Sequence, residues 1–171
     1  MAEELKEEEL LEEDTQKGKY MTFQTGKECF GISISYVSEI IAMQPITPIP
    51  EAENYIKGLI NLRGKIIPVI DVRTRFLMEP AEYTDRTCII VIDVKSTVVG
   101  LIVEKLAEVD TIKDDDIIPP PTISGRENEH SKYVYGLART ESCVKLLLDP
   151  EKLIHQDDFK MFENVQEEEE S

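Results

Sequence analysis

Two segments of this sequence occur twice, and the repetition restricts the fold more than any other feature. The segment GISISYVSEI, which begins at Gly31, matches GLIVEKLAEV, which begins at Gly100, 69 residues later. Gly58, within YIKGLI…IIPVID, recurs 78 residues later as Gly136 within YVYGLA…VKLLLD. Internal self-similarity of this kind indicates that one structural unit occurs twice. The chain is therefore expected to contain two related halves.

The residues in and around the repeats predict short β-strands. Apolar and polar residues alternate through KYMTFQTGKECFGISI, CIIVIDVKSTVVGLIV and GLINLRGKIIPVIDV, each interrupted by turn residues, which is typical of β-hairpins. The segment SYVSEII is too short for an independent helix and predicts one helical turn that leads into a strand. The prolines of PITPIP predict a loop or a sheet edge, because proline donates no ladder hydrogen bond. The charged run Asp114–Asp116 predicts a turn before Ile117.

These elements predict an all-β fold of two interlocked five-stranded small β-barrels, related by internal duplication, with short helical turns and a C-terminal helix. Units this small bury little surface alone, so the halves are expected to pack together and to exchange strands. The predicted organisation is an acidic tail over 1–17, one folded domain over 18–156 whose second half is mainly 87–148, and a helix end with an acidic tail over 157–171. Asp149 and Pro150 are expected to cap and begin the terminal helix.

Charge is concentrated at the two ends of the chain. Of the net charge of −16, residues 1–14 contribute −7 and residues 157–171 contribute −6, which leaves −3 for the remainder. Such runs of like charge repel each other and are usually solvated. Since nucleic-acid binding requires a basic surface, the sequence argues against a nucleic-acid partner.

No grouping of residues in the sequence has the spacing of a catalytic or metal site, so we expect no catalysis, no metal and no cofactor. The two histidines, His130 and His155, are not accompanied by a nucleophile motif. The run Asp114–Asp116 lacks the alternating pattern of a calcium loop. The three cysteines are far apart and lie among apolar residues, which favours buried thiols in a reducing compartment. There is no secretory signal or transmembrane run, so we expect a cytosolic protein without direct membrane insertion.

The least ordinary part of the sequence is the tip of the hairpin GLINLRGKIIPVIDV. Gly64 is expected to take the positive φ angle of a tight turn, and Gly58 to mark close approach of another backbone. Asn61 is poorly suited to a strand and is expected to bond nearby backbone. Arg63 is either a simple solvent-facing turn residue or a partner of Glu39, which the end of a small barrel would bring close.

The segment YIKGLINLRGKIIPVIDVRTRF resembles the signature of CheW-like domains, the coupling modules of bacterial chemotaxis. The resemblance extends through FGISISYVSEII, PITPIP, VVGLIVEKLAEV and YVYGLARTESCVKLLLD, and so covers nearly all of the predicted fold. Because no kinase, phosphotransfer or receiver segment accompanies it, the chain resembles a stand-alone member of the family. It does not resemble the same domain within the kinase CheA or fused to a receiver.

The resemblance implies a non-catalytic adaptor, monomeric in isolation, at membrane-associated chemoreceptor arrays in the cytoplasm. Its partners would be the regulatory domain of the histidine kinase CheA and the cytoplasmic tip of methyl-accepting chemoreceptors. Receptor binding in the family uses an apolar groove between the barrels, whose lining matches Met21, Ile34, Val37, Ile40, Val103 and Leu106. Kinase contacts would lie on the exposed hairpin ends and the Pro45–Pro50 loop. Glu39, Gly58, Asn61, Arg63 and Gly64 would form the signature and position the loops.

Two alternatives stay open at this point. One is a generic small-barrel module that binds peptides, although a groove for proline-rich peptides is usually lined with aromatic residues and the chain has no Trp. The other is a CheW-like adaptor of a kinase pathway unrelated to chemotaxis.

Overall fold

The computed structural model describes residues 18–120, 132–140 and 143–154, and these residues form mainly β-structure. The strands, in chain order, are β1 (Lys19–Thr25), β2 (Glu28–Ser33), β3 (Val37–Ala42), β4 (Ile56–Leu62), β5 (Lys65–Asp71), β6 (Cys88–Val94), β7 (Thr97–Val103), β8 (Lys105–Thr111), β9 (Ile117–Ile118), β10 (Val134–Arg139) and β11 (Val144–Leu148). The connections include the single-turn α-helices α1 (Val72–Arg75) and α2 (Pro150–Leu153) and the 3-10 turns Ile34–Tyr36 and Asp114–Asp116. The predicted all-β class is confirmed.

The strands form two sheets with matching strand order. Sheet 1 has the order β8-β1-β2-β11-β10-β9, and sheet 2 has the order β3-β6-β7-β5-β4. The hairpin β1–β2 occupies the place in sheet 1 that β6–β7 occupies in sheet 2. The strand that follows each hairpin crosses to the other sheet, so β3 pairs with β6 and β8 pairs with β1. The sequence repeat is therefore visible in the pairing, while closure of each sheet into a barrel and the subdomain boundaries stay predictions.

Most local predictions match the structure. The three hairpins form, the 3-10 turn Ile34–Tyr36 leads into β3, and the turn Asp114–Asp116 precedes β9. The Asp149 side chain caps α2 by accepting a hydrogen bond from the Glu151 N–H. The two-residue strand β9 was not predicted. The acidic tails, the two histidines and the terminal helix after Ile154 lie outside the described residues.

The core consists of one shared apolar cluster and two smaller ones. Alternate residues of β6 show the division: Ile90 and Ile92 enter the shared cluster, whereas Ile89 and Val91 enter a cluster built from sheet 2. The shared cluster is the largest and takes side chains from both sheets, including Phe23, Phe30, Ile32, Ile70, Leu101 and Leu148. A third, smaller cluster belongs to sheet 1. Because the main core is common to both halves, we expect the two halves to unfold in one transition.

Arg75 lies at the joint between the halves, and it is 7% exposed. Its guanidinium carbon is 3.8 Å from the ring centre of Tyr55 and 4.4 Å from that of Tyr133. Its Nε donates a hydrogen bond of 3.0 Å to the carbonyl of Leu153. Tyr133 is the repeat equivalent of Tyr55, and Leu153 is the repeat equivalent of Arg75 itself, both 78 residues later. One cation of the first half therefore fits between equivalent rings from both halves.

Leu77, which follows α1, adopts a backbone conformation that disfavours its own side chain. Its φ angle is +57° and its side chain is 72% exposed, so strain at the Cβ is not offset by burial. A left-handed conformation costs a non-glycine residue about 1–2 kcal/mol, and glycine avoids that cost at some loss of chain entropy. We expect Leu77→Gly to raise the free energy of unfolding by about 0.5–1 kcal/mol in chemical denaturation. Leu77→Ala is the matched control, because it shortens the side chain without relieving the backbone; an equal gain in both variants would contradict the explanation.

Candidate functional site

The candidate site begins at the two-residue turn between β4 and β5. Arg63 has φ +53° and Gly64 has φ +86°, as a type I′ turn requires at both central positions. The Asn61 side-chain oxygen accepts a hydrogen bond of 2.9 Å from the Gly64 N–H. The predicted role of Gly64 is confirmed, and Asn61 bonds nearby backbone as expected. The positive φ of Arg63 was not predicted, because a turn of this type accepts arginine only at a cost in backbone strain.

Gly58 confirms the predicted close approach of another backbone. Leu59 and Thr47 exchange two backbone hydrogen bonds of 2.8 Å, which hold the proline-containing loop on the free edge of β4. A Cβ atom on Gly58 would lie 2.1 Å from the Thr47 carbonyl oxygen, and the φ angle of Gly58 is +149°. Any side chain here would therefore displace the loop that contains Pro45 and Pro48.

Arg63 and Glu39 form the proposed ion pair. Arg63 Nη2 is 2.8 Å from Glu39 Oε2, and Nη1 is 3.4 Å from Oε1, so the two groups meet through parallel hydrogen bonds. The Arg63 side chain is 76% exposed and that of Glu39 is 27% exposed. Since β3 and β4 are the two edges of sheet 2, the pair connects the turn that follows one edge strand to the other edge strand. The Arg63 side chain is thus solvent-exposed, and the Glu39 carboxylate fixes the orientation of its guanidinium group.

The predicted groove residues lie on segments that the repeat makes equivalent. Val37 and Leu106 are related by the 69-residue repeat, as are Ile34 and Val103. Val37, Leu106 and Met21 are half-buried and pack against the shared core, whereas Val103 belongs to that core and is 1% exposed. Val103 therefore supports this surface from below and does not face a partner. Ile34 is half-buried in its 3-10 turn.

Ile40 and Val109 extend the apolar surface along the sheet edges. Ile40 on β3 is 38% exposed, and its repeat equivalent Val109 on β8 is 50% exposed. Both strands have one pairing partner among the described residues, so these side chains lie on free edges. Val109 was not predicted as a site residue, although the 69-residue repeat makes it equivalent to Ile40. We refer below to Met21, Ile34, Val37, Ile40, Leu106 and Val109 as the apolar seam.

The second half replaces the Arg63–Glu39 pair with a different arrangement. Arg139 is the repeat equivalent of Asn61 and Glu108 that of Glu39, so the sequence predicts an arginine near Glu108. Among the described residues the cation that approaches Glu108 is instead Lys145, with its Nζ 3.9 Å from Glu108 Oε1. The Lys145 side chain is 5% exposed and also pairs with Asp110. Lys145 occupies the position that Ile67 occupies in the first half. A buried charge therefore replaces an apolar core residue, so the two ends of the molecule differ chemically.

The remaining polar groups show no catalytic arrangement. A cleft of about 790 Å³ lies beside the loop 79–87, where the Glu104 carboxylate contacts Arg73 and accepts a hydrogen bond from the Gly26 N–H. Burial and the neighbouring Asp71 carboxylate raise the pKa of Tyr83, so its hydroxyl stays protonated at neutral pH. Within residues 18–120, 132–140 and 143–154, no group of His, Cys, Asp and Glu side chains has the arrangement of a metal site. None of the helices in the described part of the chain could span a membrane.

A sequence profile described as the CheW-like domain matches residues 19–158. The chain belongs to the CheW-like family. The chemotaxis protein CheW of Rhizobium meliloti is 43% identical over 125 residues, which is 72% of this chain and 81% of that protein. The chemotaxis protein CheW of Klebsiella aerogenes is 31% identical over 147 residues, covering 86% and 87% of the two chains.

The fold agrees with that membership. The crystal structure of the scaffolding protein TtCheW from Thermoanaerobacter tengcongensis superposes with a TM-score of 0.74 at 33% identity, and covers 82% of this chain and 94% of that one. The CheW-like domain is a scaffold of chemotaxis signalling and not an enzyme. The family profile spans both sheets, the apolar seam and the Arg63–Glu39 pair.

Proposed function

We propose that this CheW-like protein links the cytoplasmic tip of a chemoreceptor to the regulatory domain of CheA, at membrane-associated arrays, and so promotes array assembly and kinase control. The observation that carries the proposal is the apolar seam, in which Met21, Val37 and Leu106 are half-buried and pack against the core shared by both sheets. A receptor tip is a helical hairpin, and a helix docks its apolar face into a groove of this kind. Because the groove floor belongs to the main core, its shape is fixed before the helix arrives.

The Arg63–Glu39 pair supports a second contact surface beside the seam. It holds the turn after β4 against the edge strand β3, which itself carries Val37 and Ile40 of the seam. A bidentate guanidinium–carboxylate pair fixes orientation as well as distance. The pair would therefore set the position of the hairpin end that meets the kinase, relative to the groove that meets the receptor.

Co-sedimentation tests the proposal directly. The purified chain is mixed with receptor signalling fragments on vesicles, with CheA, and with both. The proposal predicts binding to each partner alone and a ternary complex in which kinase activity depends on this chain. Binding to neither partner would contradict it, and binding to a different histidine kinase alone would favour an adaptor of another pathway.

Disruption of the ion pair is expected to weaken coupling without unfolding the protein. An exposed pair contributes about 1 kcal/mol or less to stability, so Arg63→Ala and Glu39→Ala should both melt close to the wild type. Both variants should lower the yield of the ternary complex, and the double variant should be no worse than either single one. Lys65→Ala, an exposed cation two residues from Arg63, is the matched control. Strictly additive losses would show that the two residues act separately.

A further inference from the structure

Two cysteines that are far apart in sequence meet where sheet 1 joins its first hairpin to its last. In the parallel pairing of β2 with β11, Cys29 lies opposite Lys145. Cys143 precedes β11 by one residue and Lys145 by two, which places residues 143 and 145 on the same side of the chain. The Cys29 and Cys143 side chains lie close enough to interact with each other. Neither thiol is in a disulfide in this structure.

The surroundings keep these thiols reduced until an oxidant is supplied. Both side chains are half-buried. Burial raises the pKa of Cys29, the interaction with Cys143 raises it further, and the ammonium of Lys145 opposes the change. A protonated thiol is a weak nucleophile, so spontaneous reaction at neutral pH is slow. The thiols are nonetheless placed to react with each other once one of them has been oxidised.

The shared fold does not require this pair. The repeat equivalents of Cys29 and Cys143 in sheet 2 are Val98 and Lys65. The same parallel pairing forms there without thiols, between β5 and β7. The third cysteine, Cys88, lies in sheet 2 opposite Val103. Cys88 is therefore an internal control: its thiol is half-buried, and neither of the other two cysteines belongs to sheet 2.

We propose that Cys29 and Cys143 are a reversible oxidation site that forms an intramolecular disulfide with a peroxide as the oxidant. One thiolate attacks hydrogen peroxide, which breaks the O–O bond and yields a sulfenic acid and hydroxide. The second thiol then attacks the sulfenic sulfur, forms the S–S bond and releases water. In total two thiols and one peroxide give one disulfide and two waters, so the two electrons lost by sulfur reduce the peroxide. A thiol reductant reverses the change.

The disulfide would crosslink two strands that pair over only a short length. β2 and β11 are joined through three residue pairs, and these pairs connect the first hairpin of the chain to the last. A crosslink between residues 29 and 143 closes most of the chain into one loop and restricts the unfolded state accordingly. The oxidised protein is therefore expected to melt several degrees higher than the reduced protein.

The test uses the full chain, treated with hydrogen peroxide, unfolded, alkylated and digested for mass spectrometry. We expect a Cys29–Cys143 crosslinked peptide two hydrogen masses lighter than the reduced pair, with Cys88 recovered alkylated. The crosslink should form equally in Cys88→Ser, be absent from Cys143→Ser, and disappear with dithiothreitol together with the rise in melting temperature. Recovery of Cys29 and Cys143 as separate alkylated or sulfinic residues would overturn the proposal, as would crosslinks to Cys88 or between molecules. The wild-type digest decides the matter even if a variant folds poorly.

Discussion

Replacing Val37 with aspartate is expected to lower affinity for the receptor tip by more than 100-fold while the kinase contact survives. Val37 is the first residue of β3, belongs to the apolar seam and is half-buried against the shared core. A carboxylate there must lose water when an apolar helix docks, without gaining a partner. That desolvation costs roughly several kcal/mol, and each 1.4 kcal/mol is a factor of about ten in affinity.

Ser38→Asp is the matched control for this substitution. Ser38 is the next residue of β3 and is exposed, so the substitution adds the same charge to the same strand at a solvent-facing position. Titration of receptor fragments against both variants, with melting curves for each, separates the outcomes. If Val37→Asp lowered the melting temperature strongly and lost both partners together, Val37 would be a core residue and not a docking residue.

Replacing Arg75 with alanine is expected to destabilise the protein by about 3 kcal/mol. A desolvated cation–aromatic contact is worth about 2 kcal/mol and a hydrogen bond about 1 kcal/mol, and the substitution also leaves a cavity between Tyr55 and Tyr133. Chemical denaturation measures the loss. The wild type should unfold in a single transition, since the halves share one core.

Two variants refine this prediction. Arg75→Met should lose less than the alanine variant, because it fills the same slot without a buried charge. The Nη2 atom of Arg75 has no hydrogen-bond partner among the described residues. Arg73→Ala removes a cation two residues earlier in α1, where the side chain is 22% exposed, and should cost about 1 kcal/mol or less. Equal losses from Arg73→Ala and Arg75→Ala would contradict a special role for the joint.

The sequence predicts the repeated half and an exchange of strands between the halves, but not which strands cross. The hairpins, the turn at Gly64 and the loop held against Gly58 follow from residue types with narrow conformational preferences. The strand partners of β3 and β8 do not follow, because β1 and β6 offer nearly the same alternating pattern to either strand. Only the packed core decides between them.

The residues of the candidate site and the other buried polar residues also divide into those that the sequence predicts and those that it does not. The Arg63–Glu39 pair could be predicted because the two strand ends and the two complementary charges can be recognised in the sequence. The burial of Arg75 could not be predicted, because Arg73 and Arg75 are two arginines of the same short segment. Only tertiary packing buries one of them. Lys145 was missed since a lysine in an alternating strand usually faces solvent, whereas here it pairs with Asp110 inside sheet 1. The meeting of Cys29 with Cys143 depends on a parallel pairing that local sequence does not encode.

The buried position of Arg75 affects whether two separate copies of the first half could form the same structure as a dimer. A homodimer of the first half would bring two copies of Arg75 to the place that one copy occupies now, between the same two tyrosine rings. Two guanidinium groups would then compete for one slot and repel each other. A single chain avoids this conflict because its two copies can differ in sequence. The covalent connection between the halves therefore permits a joint that a symmetric dimer could not form.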